Sequence, residues 1–499
     1  MMKDKTGKNF FGVSVTILFS KLLGFLRDVL VAASFGTSML ADIYTQVFGV
    51  ASLLFTSIGM ALSTVNIPNL THYFANESEE KRKKYVAALF THIFLAGTAI
   101  SVCGIVLAPL AAKVILPGLD SAAAGIAVTL TRIMFPTLLF ISLAYITAGI
   151  LQVHRHFLLS SLISIPFNIA IIAALFVKRG DIIWLGYVTA FGWLLQFLVQ
   201  LPVFFREKYR IGFEFDLKNK HVNEVFLKIV PILLGNAALQ VCLITGRAFA
   251  SHLDEGSAAA LSFGSILFTT VTGIFIVAMS TVTFPDLSKY CLENDFDRVA
   301  SLLGYIFRML FFILVPYLLV VILYSREIIR LVYERGSFTE RSTGMTSLAF
   351  LCYSFCIFGY MSQEIFNRVY YALKKFKAPM ILSVICIFTN LALVSLSFKT
   401  LEIVGIAGST AVSFTIYAVA ITINMRRQIG GFLKKDFAVF LGKLAICSLC
   451  FAGVGILFRL LDFKGVILGF LAPVVTGGLA YVAAAHFTGV LKETVFRRS

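Results

Sequence analysis

Long apolar stretches alternate with short polar segments along the whole chain. Most of these stretches reach the roughly 20 residues that an α-helix needs to cross a bilayer. The pattern therefore predicts an all-α, polytopic membrane protein with about 14 transmembrane helices. We place the helices at residues 10–34, 43–66, 85–110, 122–151, 156–178, 182–205, 222–252, 257–285, 302–324, 343–372, 379–399, 403–425, 436–457 and 465–488.

Composition supports a membrane protein and excludes several other classes. Hydrophobic residues make up 59% of the chain and charged residues only 14%, against about 25% charged residues in an average soluble domain. The net charge of +17 could indicate a nucleic-acid partner, but the basic residues form short clusters between apolar runs, as juxtamembrane charges do. We therefore predict no nucleic-acid partner, and the lipid bilayer is the expected surrounding.

The placement of lysine and arginine predicts the orientation of the helices. One set of loops and ends carries about 26 basic residues and the opposite set about 10, so the first set is expected on the cytoplasmic side. Both termini belong to that set. An even number of helices, such as 14, places both termini on the same side of the membrane, so the helix count and the charge distribution agree. The richer set comprises Lys3, Lys5, Lys8, Lys81 to Lys84, Arg155, Arg206 to Lys228, Lys289, Arg298, Lys374, Lys375, Lys377, Arg426 to Lys435 and Lys492 to Arg498.

The polar segment at 206–221 divides the first twelve predicted helices into two groups of six. Transporters built from two repeated lobes commonly place their substrate site between the lobes. We predict an N-lobe at 1–212, a C-lobe at 213–430, and a pair of additional helices at 431–499.

Charged side chains inside the first predicted helix are the first candidates for function. Lys21 and Asp28 share one helical stripe with Gly24, and Arg27 projects about 100° away. Charges within a bilayer are costly and commonly face a protein-lined cavity. The residues could bind an anionic substrate group, or Arg27 could form an internal ion pair with Asp28 or with Asp42.

Arg247 lies well inside the seventh predicted helix. It could supply a second cationic contact to the substrate, or it could pair with a carboxylate elsewhere in the protein. We include Asp42 and Arg247 with Lys21, Arg27 and Asp28 as candidate substrate-binding residues.

The sequence contains no pattern typical of an enzyme. It has no phosphate-binding loop for ATP, no zinc signature and no arrangement of Ser, His and Asp for nucleophilic catalysis. The eight cysteines lie mostly in apolar runs without metal-ligand spacing. We predict a transporter with no catalytic residues, no metal site and no cofactor.

Short motifs in a consistent order resemble the MurJ/MviN family. The first helix reads S-K-L-L-G-F-L-R-D at 20–28, followed by F-G at 35–36 and A-D at 41–42. The sequence P-F-N follows at 166–168, and the most specific match is E-R-G-S-F-T at 334–339. Arg368, Pro379 and Asn390 follow at family-like spacing.

The resemblance implies the fold of the MOP exporter superfamily, with two six-helix lobes and a cavity that opens alternately to either side. It also implies a flippase in the bacterial cytoplasmic membrane whose substrate is an undecaprenyl-diphosphate-linked glycan, the peptidoglycan precursor lipid II. In the family, arginines in the cavity bind the diphosphate, and the two additional helices form a groove thought to guide the lipid tail.

The sequence departs from the family pattern at several positions. Lys21 stands where the family usually has arginine, and Gly246 stands where an acidic residue is usual. The arginines that the family carries in helices two and eight are absent from 51–56 and 263–266. Two alternatives therefore stay open: a flippase for another lipid-linked oligosaccharide, or a transport-inactive scaffold of cell-envelope assembly. Other cell-envelope synthesis proteins are candidate partners in either case.

Overall fold

The computed structural model describes residues 2–52, 70, 77–154, 156, 158–159, 162–209, 212, 214, 238–430, 435–461, 465 and 467–494. These residues form helices joined by short turns, without a β-strand in any of the described ranges. The all-α prediction is confirmed. Several predicted features lie partly outside the described residues. These are the loop at 206–221, the second and seventh predicted helices, and the segment 51–56 that departs from the family pattern, of which 53–56 are not described.

The chain divides into two units. Unit 1 comprises residues 1–240, 247–259 and 335–338, and unit 2 comprises residues 241–246, 260–334 and 339–499. The segments 247–259 and 335–338 therefore belong to unit 1, although most of the chain after residue 240 belongs to unit 2. The predicted boundaries at 212 and 430 stay predictions.

The helices of the first half are α1 (Met2–Phe35), α2 (39–52), α3 (Glu79–Val106), α4 (Ala108–Ile115), α5 (Ser121–Met134), α6 (Thr137–Val153), α7 (Ser164–Val177), α8 (Ile182–Leu198) and α9 (Leu201–Arg206). Helix α1 packs on α7, α7 on α8, and α6 on both α3 and α8. Large apolar side chains such as Tyr85, Phe90, Ile146, Phe197 and Phe204 form a buried cluster where α3, α6, α8 and α9 meet.

The helices of the second half are α10 (Ala238–Ala250), α11 (Ser257–Thr272), α12 (Ala278–Leu292), α13 (Phe296–Tyr333), α14 (Glu340–Ser354), α15 (Ile357–Ala372), α16 (Lys377–Ile429), α17 (Lys435–Leu460), α18 (Ala472–Phe487) and α19 (Val490–Thr494). A π-helical turn precedes α12 at Gly273–Val277 and another precedes α18 at Ile467–Leu471. Helix α15 packs on α16 and α12, and α17 packs on α18 and α13.

Several helices begin with a side-chain cap. Asp120, Asp181 and Asp295 each accept a hydrogen bond from the backbone N–H three residues later, with N···O distances of 2.8, 2.9 and 3.1 Å. Such caps satisfy N–H groups that the helix itself leaves unpaired. The sequence therefore fixes these helix starts locally.

Helix α16 contains two of the predicted spans. It bends at Glu402, whose φ of 46° and ψ of −128° are not helical. The bend falls between the predicted helices at 379–399 and 403–425, so this boundary is confirmed.

Eight helices in the described part of the chain are long and apolar enough to cross a membrane. The number becomes nine if the bent pair of α14 and α15 is one span. The polytopic prediction is confirmed, and the count of about 14 helices stays a prediction.

Candidate anion site in unit 1

Arg27 is held in a fixed position on α1. Its Nε and Nη2 atoms both donate to Oδ1 of Asp28, at 2.9 and 2.7 Å, and its Nη1 donates to Oδ1 of Asn168 at 3.1 Å. The Arg27 and Asp28 side chains are 14% and 17% exposed. The internal ion pair that the sequence suggested is therefore present, and it leaves part of the guanidinium uncovered.

Asn168 connects Arg27 to the backbone of α1. It is buried, and its Nδ2 lies 3.4 Å from the carbonyl oxygen of Ser20, to which it donates. A Cβ atom at Gly24 would lie 3.7 Å from the Asn168 side chain, an ordinary contact distance, so Asn168 packs directly against α1 at this position. The P-F-N motif of the sequence thus supplies a direct partner of Arg27.

Lys21 lies six residues before Arg27 on α1, and its side chain is exposed. The structure confirms that Lys21, Gly24 and Asp28 belong to one helix. Lys21 thus places a second positive charge on α1, without the planar fork that allows arginine to bind two phosphate oxygens at once.

Asp42 is buried and caps a helix from a distance in sequence. Its Oδ2 accepts from the N–H of Gly256 at 2.8 Å, and its Oδ1 accepts from the N–H of Ala259 at 2.6 Å. The two N–H groups lie just before and within the first turn of α11, which begins at Ser257, and a carboxylate at this end of a helix is favoured by the helix dipole. Contact between Asp42 and a substrate stays a prediction.

Arg247 is also buried in unit 1. Its Nη1 lies 3.5 Å from the carbonyl oxygen of Thr45, and a Cβ atom at Gly49 would lie 2.8 Å from Nη2. The absence of a side chain at Gly49 therefore makes room for the guanidinium beside α2. Contact between Arg247 and a substrate stays a prediction.

A second arginine–carboxylate pair lies in unit 2. Arg368 donates to Oε1 of Glu364 from Nε and Nη2, at 3.2 and 3.0 Å, and Ser280 donates to the same oxygen at 3.1 Å. The spacing of four residues within α15 explains why Glu364 and Arg368 meet. No group of three metal-ligating side chains occurs among the described residues.

The comparisons with known proteins first define the class. A solved structure described as "Lipid II flippase MurJ, inward closed conformation" superposes with a TM-score of 0.79 at 24% identity, over 96% of this chain and 99% of that chain. An inward-facing multidrug resistance MATE family transporter of the MOP superfamily superposes with a TM-score of 0.69 at 14% identity. The superposition covers 83% of this chain and 96% of that chain. The protein is a multi-pass membrane transporter, and not an enzyme, and it has the fold that these two solved structures share.

The sequence comparisons identify the family. The model of the family "Lipid II flippase MurJ" matches residues 31–476. The "Probable lipid II flippase MurJ" of Treponema pallidum (strain Nichols) is 29% identical over 445 residues, which cover 86% of this chain and 83% of the relative. The chain belongs to the MurJ lipid II flippase family.

Proposed function

We propose that this protein moves lipid II, the undecaprenyl-diphosphate-linked precursor of peptidoglycan, across the bacterial cytoplasmic membrane by alternating access. Membership of the MurJ family supports the substrate. The positive-inside distribution of basic residues supports an orientation with both termini in the cytoplasm. Other envelope-synthesis proteins are proposed partners.

The geometry of Arg27 is the observation that carries the proposed binding mode. Among the described residues, Asp28 and Asn168 use three of the five guanidinium N–H donors. The remaining two donors, one on each terminal nitrogen, match two oxygens of a phosphate group. Hydrogen bonds between charged partners are the strongest of their kind and gain further strength where water is excluded.

The proposed roles of the residues follow from these contacts. Arg27 binds the diphosphate through its two remaining donors, and Asp28 holds the guanidinium in the required orientation. Lys21 adds a second positive charge on the same helix. Asp42 and Arg247 remain candidates for substrate contact, and their contacts with backbone atoms of unit 1 support a role in shaping that unit.

Complementation of a strain depleted of its own lipid II flippase tests the proposal. Wild-type protein should restore growth, and Arg27→Ala should not, although it is expressed and inserted, because the diphosphate loses its two N–H donors. Arg27→Lys should restore little growth because an ammonium group cannot form the planar fork.

Lys21→Arg is the matched variant, since it keeps the charge and adds the fork. It should support growth at least as well as the wild type. Full complementation by Arg27→Ala would contradict the proposed binding mode. Failure of the wild type itself, with normal membrane expression, would contradict lipid II as the substrate.

A further inference from the structure

Four aromatic rings from three helices of unit 1 form a continuous row next to Arg27. Tyr44 stacks on Phe48 with ring centroids 5.7 Å apart and an interplanar angle of 5°. Phe48 stacks on Phe167 at 6.2 Å and 11°, and Phe167 contacts Trp193 at 4.5 Å and 40°. We refer to these four residues as the aromatic row.

The guanidinium of Arg27 lies against the middle of the aromatic row. Its Cζ atom is 5.4 Å from the ring centroid of Phe48 and also 5.4 Å from that of Phe167. Both distances are within the range of a cation–π interaction, in which the electron-rich ring face attracts a positive charge. Arg27 therefore contacts two rings from two different helices, α2 and α7.

The rings stabilise the cation in a different way from the polar neighbours. Asp28 and Asn168 accept hydrogen bonds from three guanidinium N–H groups, so these three donors are not available to a phosphate. A ring attracts the positive charge without accepting one of those N–H groups in a conventional hydrogen bond. Phe48 and Phe167 can thus hold Arg27 in place while its two remaining donors stay available.

The outer members of the aromatic row hold the two inner rings. Tyr44 is 3% exposed and its hydroxyl lies 3.0 Å from the hydroxyl of Thr189 on α8. Trp193, also on α8, is 6% exposed. Because both outer rings are buried, Phe48 and Phe167 are confined from either end of the row.

We propose that Phe48 and Phe167 are positioning residues that orient Arg27 for binding the substrate diphosphate. This inference rests on the proposed function, because it assumes that Arg27 binds the diphosphate. The rings do not touch the diphosphate themselves. They lower the cost of ordering the arginine side chain before the substrate arrives, so they act on substrate affinity.

The test measures initial flipping rates of fluorescently labelled lipid II in proteoliposomes over a range of substrate mole fractions. Phe48→Leu and Phe167→Leu keep an apolar side chain but remove the ring. Each should raise KM about three- to tenfold, as expected for the loss of one cation–π contact. The kcat should change much less, and Phe48→Trp should keep KM near the wild-type value.

Phe90→Leu is the matched control for simple loss of packing. Phe90 is buried in unit 1 and contacts a ring, Phe204, at 5.4 Å, but it belongs to the apolar cluster where α3, α6, α8 and α9 meet. This variant should leave KM unchanged. Equal KM values for Phe48→Leu and Phe90→Leu would overturn the inference.

Fluorinated phenylalanine at position 48 tests the same point without changing the shape of the side chain. Successive mono-, di- and trifluorination weakens the negative face of the ring, so KM should rise stepwise. A KM that does not change across the series would also overturn the inference.

A stability cycle separates this inference from the proposed function. If Phe48 and Arg27 interact, Phe48→Leu should lower the Tm less in an Arg27→Met background than in the wild type. Normal flipping by Arg27→Ala, together with such a coupling, would reject the proposed binding mode and with it the positioning role. Additive Tm changes would reject the cation–π contact whatever the flipping rates are.

Discussion

Two glycines of unit 1 allow two backbone segments to pack closely. Gly36 lies against the backbone of Ser337, and Gly336 lies against the backbone of Ala33. Gly36 has a φ of 57° and Gly336 a φ of 61°. A Cβ atom at Gly36 would lie 2.2 Å from the carbonyl oxygen of Ser337, and one at Gly336 would lie 2.3 Å from that of Ala33. The N–H of Ser337 also donates to the Ala33 carbonyl oxygen at 2.8 Å. The F-G motif after α1 and the E-R-G-S-F-T motif therefore meet in space.

Gly336→Ala should destabilise the protein by at least about 2 kcal/mol, because alanine disfavours a positive φ and its methyl group would collide with a backbone oxygen. Thermal unfolding in detergent measures the effect. Gly344→Ala is the control, since Gly344 lies within α14 and has open space around it. That variant should be neutral or slightly stabilising. Equal Tm values for the two variants would contradict the argument.

At the scale of elements, a polar cluster joins the ends of α6 and α9. The Oε1 atom of Glu207 lies 2.8 Å from Nε2 of His156, and its Oε2 atom lies 3.0 Å from Nδ1 of His154. Nε2 of His154 lies 3.1 Å from the hydroxyl of Tyr209. These four residues follow the last turns of the two helices, so they form a connection outside the apolar spans.

The pKa values of two groups in this cluster, His154 and Glu207, are both lowered. Burial lowers the pKa of His154 below its usual range, helped by the charges of His156 and Arg82 and opposed by that of Glu207. The hydrogen bond from His156, with the charges of His154, His156 and Arg206, lowers the pKa of Glu207. A group with a lowered pKa in the folded state contributes stability above its unfolded pKa and loses it as the pH falls.

The Tm in detergent should therefore fall as the pH drops below about 6.5, where histidine in the unfolded chain begins to bind protons. Removing the ionisable ring with His154→Asn should flatten the upper part of this decline, between roughly pH 5 and 6.5. An identical pH dependence in wild type and His154→Asn would exclude His154 as a contributor.

At the scale of the whole molecule, the charge bias predicts which helix ends face the cytoplasm. Lys375 lies in the turn between α15 and α16, and Ser337 lies in the turn between α13 and α14. The two positions are at opposite ends of the bent pair α14 and α15, which can serve as one span. The sequence predicts a single span over this pair, and we therefore predict that the two positions lie on opposite sides of the membrane.

A single cysteine at Ser337 should react with a membrane-impermeant maleimide in intact cells, whereas a single cysteine at Lys375 should react only after permeabilisation. The background should lack the native cysteines, since Cys103 and Cys450 are exposed. Both variants must still complement the depleted strain. Protection of position 337 in intact cells would show that the proposed orientation is inverted.

The sequence by itself determined the helical class and most helix positions. Apolar stretches of membrane length specify spans because backbone polar groups in a bilayer must be satisfied within the helix. Local signals are sufficient for the start of α8, which is predicted at residue 182 and begins at Ile182, directly after its capping residue Asp181. They are also sufficient at the bend at Glu402. The i, i+4 pair of Glu364 and Arg368 was equally predictable, because both partners lie on one helix.

Only the tertiary structure decided the partners of the isolated charges. Asp42 binds N–H groups more than two hundred residues away, and Arg27 contacts Phe167 and Asn168 from α7. The sequence showed that these charges lie in apolar surroundings and therefore need partners. It could not identify them, because helical periodicity describes one helix at a time, whereas these contacts depend on how α1 and α2 pack against helices distant along the chain.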